Sequence, residues 1–181
     1  MKLLETPLKG CFILEPSVYK DERGFFYESY NKKRFNEVTN LNIDFVQDNQ
    51  SASLYGVIRG LHFQTGEFAQ SKLVRVLLGK VLDVIVDLRK GSETFGQQFS
   101  IILDDVDHKQ LFVPKGFAHG FITLSERSIF SYKCDNFYDK DSENGIIYND
   151  ATLSINWHLP REDFIISEKD ILLPTFKEII T

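Results

Sequence analysis

Short segments with period-two alternation run through the middle of this chain, and they confine it to a β architecture. Residues 81–89, 98–103, 110–114, 120–124 and 128–134 are rich in β-branched and aromatic side chains and read as strands. The turns between them carry Gly, Asp, Asn, Ser or Pro. Many short strands with little helix between them predict an all-β fold, a double-sheet barrel of jelly-roll type. Helix is expected only near residues 31–39 and around residues 168–172, the second stopped by Pro174.

A chain of 181 residues with five prolines and no low-complexity tract is expected to form one domain, over residues 1–181, with a full-sized core. Its formal charge of -5 argues against nucleic acid or an anionic membrane as partner and leaves anionic small molecules open. The start of the chain, Met1 to Pro7, lacks a secretory apolar region, and no apolar run approaches the ~18 residues of a membrane span. A cytoplasmic protein is therefore expected. Two cysteines, Cys11 and Cys134, are too few for a disulfide framework and are expected in the core as small hydrophobes.

Two stretches concentrate the chemistry: residues 56–64, leading into residues 70–75, and residues 113–121. They place a histidine, a lysine and an arginine beside strand-like segments without the usual spacings for a metal or cofactor. Strict alternation would put Arg59 and His62 on opposite faces of one strand. Gly60 between them offers a way out, because a glycine inside a strand often marks a bulge that re-aims the next side chain. Taken alone, the pair also fits a solvated charge and a hydrogen-bonded barrel histidine. Lys72 shares parity with Val74 and Val76, so it should face the barrel interior, where an unpaired ammonium is costly and an anion is wanted. Tyr132 shares parity with Phe130 and Cys134, which puts a phenol on an apolar inward face where its hydroxyl needs a partner.

The run Pro114-x-Gly116-x-x-His119 resembles the second half of the cupin pattern, in which a turn delivers a histidine to the mouth of a small barrel. Metal-binding cupins add an earlier His-x-His and a following Glu, since a divalent ion needs three or four close ligands. Here the earlier segment reads His62-Phe63-Gln64, and His108 and His158 fall in loop-like settings, so no metal is expected.

Residues 21–28, 47–51, 56–64, 70–76, 83–89, 94–96, 114–121, 132–134, 149–150, 155–157 and 167–170 together resemble the dTDP-4-dehydrorhamnose 3,5-epimerase family, in order and over nearly the whole chain. The resemblance implies a cofactor-independent isomerase acting on dTDP-4-dehydro-6-deoxy-D-glucose, in dTDP-L-rhamnose synthesis, and a homodimer. The C4 carbonyl of that sugar acidifies the hydrogens at C3 and C5, so a proton can leave one face and return to the other through an enolate. By resemblance, His62 is the general base and Asp170 orients its ring, although Ser167-x-x-Asp170 also fits a helix capping box. Lys72 would hold the developing O4 oxyanion, and Tyr132 would donate the returning proton. Tyr138 would stack on thymine. Substrate contacts are implied for Arg23, Glu28, Gln47, Asp48, Asn49, Arg59, His119, Glu143 and Lys169, with Arg23 and Arg59 as the diphosphate candidates because a guanidinium fork engages two oxygens at once. Arg23 and Glu28 are the residues expected to act on the partner's site in the dimer. Single-carbon epimerases keep the His, Lys, Tyr and Asp set, and a binding module without chemistry is the rival from another class.

Overall fold

Alternating segments become strands throughout the computed structural model, which describes residues 1–181. The strands are β1 (Lys2–Glu5), β2 (Phe12–Glu15), β3 (Tyr19–Asp21), β4 (Gly24–Phe26), β5 (Gln47–Leu54), β6 (Val57–Gln64), β7 (Lys72–Leu78), β8 (Lys80–Asp87), β9 (Gln98–Asp104), β10 (Gln110–Val113), β11 (Phe117–Thr123), β12 (Arg127–Cys134), β13 (Glu143–Gly145) and β14 (Ile165–Ile166). One sheet has the order β1-β2-β10-β7-β12-β5; the second has β13-β6-β11-β8-β9, with β14 added parallel to β6. β3 and β4 form a separate hairpin. This is the expected double-sheet jelly roll, and all five predicted strands lie in it.

Three apolar clusters hold the layers. Between the sheets, Val74 and Val76 of β7, Phe130 of β12, Leu111 of β10, Val81 and Ile85 of β8 and Phe117 and Phe121 of β11 pack together. Behind the second sheet, Leu82, Val84, Val86, Ala118 and Ile122 are covered by the C-terminal segment through Leu153, Trp157 and Phe176. Both faces of β8 and β11 are therefore dry, which is why every residue from Val81 to Asp87 and from Phe117 to Thr123 is buried. Behind the first sheet, Leu14, Leu73 and Phe112 pack on Phe35 of the helix α1 (Lys32–Thr39).

The helices are short. Asn31 is the N-cap of α1, its side chain accepting from the Arg34 backbone N–H at 3.1 Å, so the helix starts one residue later than expected. A second helix, α2 (Glu168–Ile171), ends before Pro174 as predicted. A third, α3 (Phe176–Ile180), is not anticipated above, although Thr175-x-x-Glu178 forms a full capping box there. Cys11 and Cys134 are both buried and free, and burial pushes their thiols up to about 12 and about 11. They are inert packing groups. No helix is long and apolar enough to cross a membrane.

The loop after β8 is tied down by one carboxylate. Asp87, fully buried, accepts hydrogen bonds from Arg89 Nε at 2.8 Å, from the Arg89 guanidinium at 2.7 Å, and from the hydroxyls of Ser92 and Thr94 at 2.6 Å each. Burial alone would raise this carboxyl's pKa; the Arg89, Ser92 and Thr94 donors outweigh it and hold the group far below the usual range. Because the folded value is depressed, the stabilisation is complete above the unfolded value of about 4 and is lost as the pH falls through the folded value. Asp87→Ala should lower the unfolding free energy at pH 7 by about 3 kcal/mol in a urea titration, the low end for a broken buried pair, since the Arg89 side chain keeps 32% of its surface exposed. A loss within 0.5 kcal/mol, roughly that of an ordinary surface change, would refute the assignment.

Candidate active site

The site begins with two glycines facing each other across paired strands. A Cβ on Gly60 would lie 2.6 Å from Gly120 Cα, and one on Gly120 would lie 2.7 Å from the Arg59 carbonyl oxygen, so neither position accepts a side chain. Gly60 also has φ +118, a backbone region open mainly to glycine. In the register of β6 against β11, Arg59 pairs with Phe121 and His62 with His119, leaving Gly60 and Leu61 opposite Gly120 alone. That extra residue is a bulge. It brings Arg59 and His62 onto the same face, the one aimed between the sheets, as Gly60 suggested.

His62 Nε2 lies 2.7 Å from Asp170 Oδ1. Asp170 is carried by α2, whose N-cap Ser167 accepts from the Asp170 backbone N–H at 3.1 Å. The capping alternative is thus half realised, while the carboxylate itself turns away to His62 and to the Gly60 N–H at 3.3 Å. Burial pushes the Asp170 carboxyl up, but hydrogen bonding and charge from His62, the Gly60 N–H and Lys169 prevail and leave it below the usual value. Asp170 is therefore an anion that can fix the ring and stabilise an imidazolium.

Facing this dyad from the other sheet are Lys72 and Tyr132, inward on β7 and β12 as their parity requires. The Lys72 ammonium makes no salt bridge; its contact is with the Tyr132 ring, 5.8 Å from Nζ to centroid. Burial lowers its pKa, with Asp83 and Glu143 pulling the other way. Burial also raises the Tyr132 phenol, so it is protonated at neutral pH. His119 lines the same space, its Nε2 2.9 Å from the fully buried Asp83. The cavity between the sheets holds about 380 Å³ and is walled by Asn49, Arg59, His62, Lys72, His119, Tyr132, Lys169 and Asp170 among others. A neighbouring space of about 250 Å³ shares Asn49, His62, Lys72 and Tyr132 and extends to Gln47, Tyr138 and Glu143. At its edge the Tyr138 hydroxyl donates to Glu143 at 2.9 Å, and Lys169 pairs with the same carboxylate.

Three expected residues lie elsewhere. The Asp48 side chain is on the outer face of β5, paired with Lys133 at 2.7 Å, because strand alternation separates it from Gln47 and Asn49. Arg23 sits at the tip of the β3–β4 hairpin against Asp21, and Glu28 pairs with Arg34 at the start of α1. No three His, Cys, Asp or Glu side chains converge in a metal-ligating group.

Residues 5–178 match the model of the dTDP-4-dehydrorhamnose 3,5-epimerase family. The chain belongs to that epimerase family. A dTDP-4-dehydrorhamnose 3,5-epimerase of Salmonella typhimurium is 47% identical over 183 residues, covering 99% of this chain and 98% of the relative. The crystal structure of the Elizabethkingia anophelis epimerase is 57% identical, covers 100% of this chain and 99% of its own, and superposes with a TM-score of 0.95. A dTDP-6-deoxy-D-glucose-3,5-epimerase from Legionella pneumophila, solved in complex with dTDP-4-keto-L-rhamnose, is 46% identical over 98% of this chain and 94% of its own, with a TM-score of 0.94.

Two residues of this epimerase-family site are absent from the sequence reading. Asp83 fixes His119, and its signal is present: a lone carboxylate at inward parity in the apolar run from Val81 to Val86. Ser53 accepts from Arg59 Nε at 3.0 Å, and the Ala52 carbonyl takes a second guanidinium bond, so Arg59 is held at the cavity wall. The dyad generates a direct test. Asp170→Asn should preserve the fold, leave KM within about threefold and lower kcat by about 10²- to 10³-fold. Unchanged kcat would remove Asp170 from the reaction.

Proposed function

We propose that the chain catalyses the cofactor-independent 3,5-epimerisation of dTDP-4-dehydro-6-deoxy-D-glucose to dTDP-4-dehydro-L-rhamnose, supplying dTDP-L-rhamnose synthesis in the cytoplasm. What supports this reading above all is one cavity with a carboxylate-held imidazole on one wall and a phenol and an unpaired ammonium on the other. Inversion at carbon needs proton removal on one face and delivery on the opposite face. Here His62 takes the proton, with Asp170 stabilising the imidazolium that forms. Lys72 accepts the charge that develops on O4 as the enolate forms, an interaction stronger in the transition state than in the ground state. Tyr132 returns a proton from across the ring. A passive nucleotide-sugar binder gains nothing from this arrangement.

Arg59 takes the diphosphate, Tyr138 stacks on thymine, and Gln47, Asn49, His119, Glu143 and Lys169 supply directional contacts. The same reading makes the protein a homodimer. The β3–β4 hairpin leaves Tyr19, Phe25 and Phe26 at 68%, 58% and 70% exposure, an apolar surface suited to a second copy. Arg23 and Glu28, remote from this chain's cavity, then complete the partner's site.

Proton NMR of the substrate incubated with protein in D₂O, without added metal or nucleotide cofactor, decides the matter. Deuterium at both C3 and C5 with an L-configured product is expected, and His62→Ala should abolish it while nucleotide affinity persists. Exchange and inversion at one carbon would make it a single-site epimerase; saturable binding without exchange would make it a binder. Tyr132→Phe should still wash C5 hydrogen into solvent while forming little inverted product, about 10²-fold below wild type. Full activity in that variant would take Tyr132 out of the mechanism.

A further inference from the structure

One buried side-chain oxygen in the whole chain has no hydrogen-bond partner, Ser51 Oγ. Buried polar groups are almost always paired, so an orphan beside a cavity calls for a reason. Ser51 sits on the inward face of β5, opposite Phe130, and lines the cavity with His62, Lys72, Tyr132 and Arg59. Its neighbours on that face are already engaged. Asn49 accepts from Gln47 at 3.0 Å and lies 3.7 Å from Cys134 Sγ as a donor, while Ser53 holds Arg59. The Ser51 hydroxyl is tucked into the wall in its present rotamer, yet no bond keeps it there, and rotation about χ1 would carry it to another staggered position.

Position on the strand narrows the partner. The Ser51 rung falls between Asn49, which pairs with Tyr132, and Ser53, which carries Arg59. With Arg59 at the diphosphate on C1 and Tyr132 and His62 at the carbons flanking the carbonyl, two ring atoms lie between them: the ring oxygen, a weak acceptor with no hydrogen to donate, and C2, whose hydroxyl can both donate and accept. We infer that Ser51 is a further substrate-binding residue, its hydroxyl turning into the cavity to hydrogen-bond the C2 hydroxyl of the sugar. This rests on the nucleotide-sugar reading of the cavity, and its test requires no turnover.

Wild-type protein and Ser51→Ala are titrated calorimetrically with dTDP-glucose and with dTDP-2-deoxyglucose, neither of which has the 4-keto group. The substitution should weaken dTDP-glucose about two- to tenfold, the size of one neutral hydrogen bond, and leave dTDP-2-deoxyglucose unchanged. Thermal stability should be equal or higher, since the variant loses an unpaired buried group. Unchanged affinity for dTDP-glucose overturns the inference, as does an equal loss for both ligands or a lowered melting temperature with no ligand difference. If the expected difference appears in a protein that does not epimerise the 4-keto sugar, the catalytic reading fails and the Ser51 contact stands.

Discussion

The placement of Arg59 and His62 on one face rests on the contact between Gly60 and Gly120. Two strands can approach this closely only where neither carries a Cβ, and the close approach is accompanied by one surplus residue on β6. The surplus changes the parity of everything after it on that strand. Without it, His62 would point toward the second cluster behind the sheet, among Leu82 and Trp157, and Arg59 would face the cavity alone. The same distortion frees the Gly60 N–H to donate to Asp170, so the feature that aims the base also helps anchor its carboxylate partner. Backbone geometry and acid–base geometry are one constraint here.

Charge is distributed unevenly over the cavity walls. Arg59, His62, His119 and Lys169 each have a partner within the chain: Ser53 and Ala52, Asp170, Asp83, and Glu143 respectively. Lys72 is different, an inward ammonium with an aromatic ring for company and no ion pair. A buried cation without a counter-ion costs stability, and the depressed pKa of Lys72 reflects that cost. The arrangement makes sense when a substrate brings the missing negative charge at the moment it forms. The neighbouring groups, already paired, keep their positions and need little reorganisation.

Much of the fold was legible because alternation and turn chemistry agree in the strands of highest β-propensity. β9, β10 and β12 are read from the chain to within one residue, β8 ends two residues before its expected limit, and β11 begins three residues earlier than its alternation suggests. β5 was harder, because Gln47-Asp-Asn-Gln-Ser51 has the composition of a loop; its pairing with β12 overrides weak propensity and exposes its polar side chains to the cavity. The parity of Lys72 and Tyr132 foretold one wall of the site, and Gly60 signalled the bulge, since each depends on local geometry. Asp170 and Asp83 could not be placed without the fold: one reaches His62 across 108 positions of chain and the other reaches His119 across 36. Family resemblance named Asp170, while the inward parity of Asp83 marks a buried carboxylate without saying that His119 is its partner. Resemblance likewise could not say that Asp48 alternates outward while Gln47 and Asn49 face in.

Tyr138 at one edge of the cavity and the His62–Asp170 pair are joined through Glu143. Its carboxylate takes the Tyr138 hydroxyl and the Lys169 ammonium, and Lys169 immediately precedes Asp170 on α2. Glu143 is itself seated on β13 opposite Gln64, two residues from the Gly145 that pairs with His62. Burial alone would raise the Glu143 carboxyl; the donors from Lys169 and Tyr138 reverse that and keep it anionic below its usual range. Tyr138 therefore bears on the same carboxylate that steadies the helix carrying the dyad's carboxylate, Asp170. Short, partly buried polar links of this kind transmit position well, because each member loses a hydrogen bond if another moves away. If thymine leans on Tyr138 as proposed, its binding and the alignment of His62 would be mechanically related through this chain of contacts.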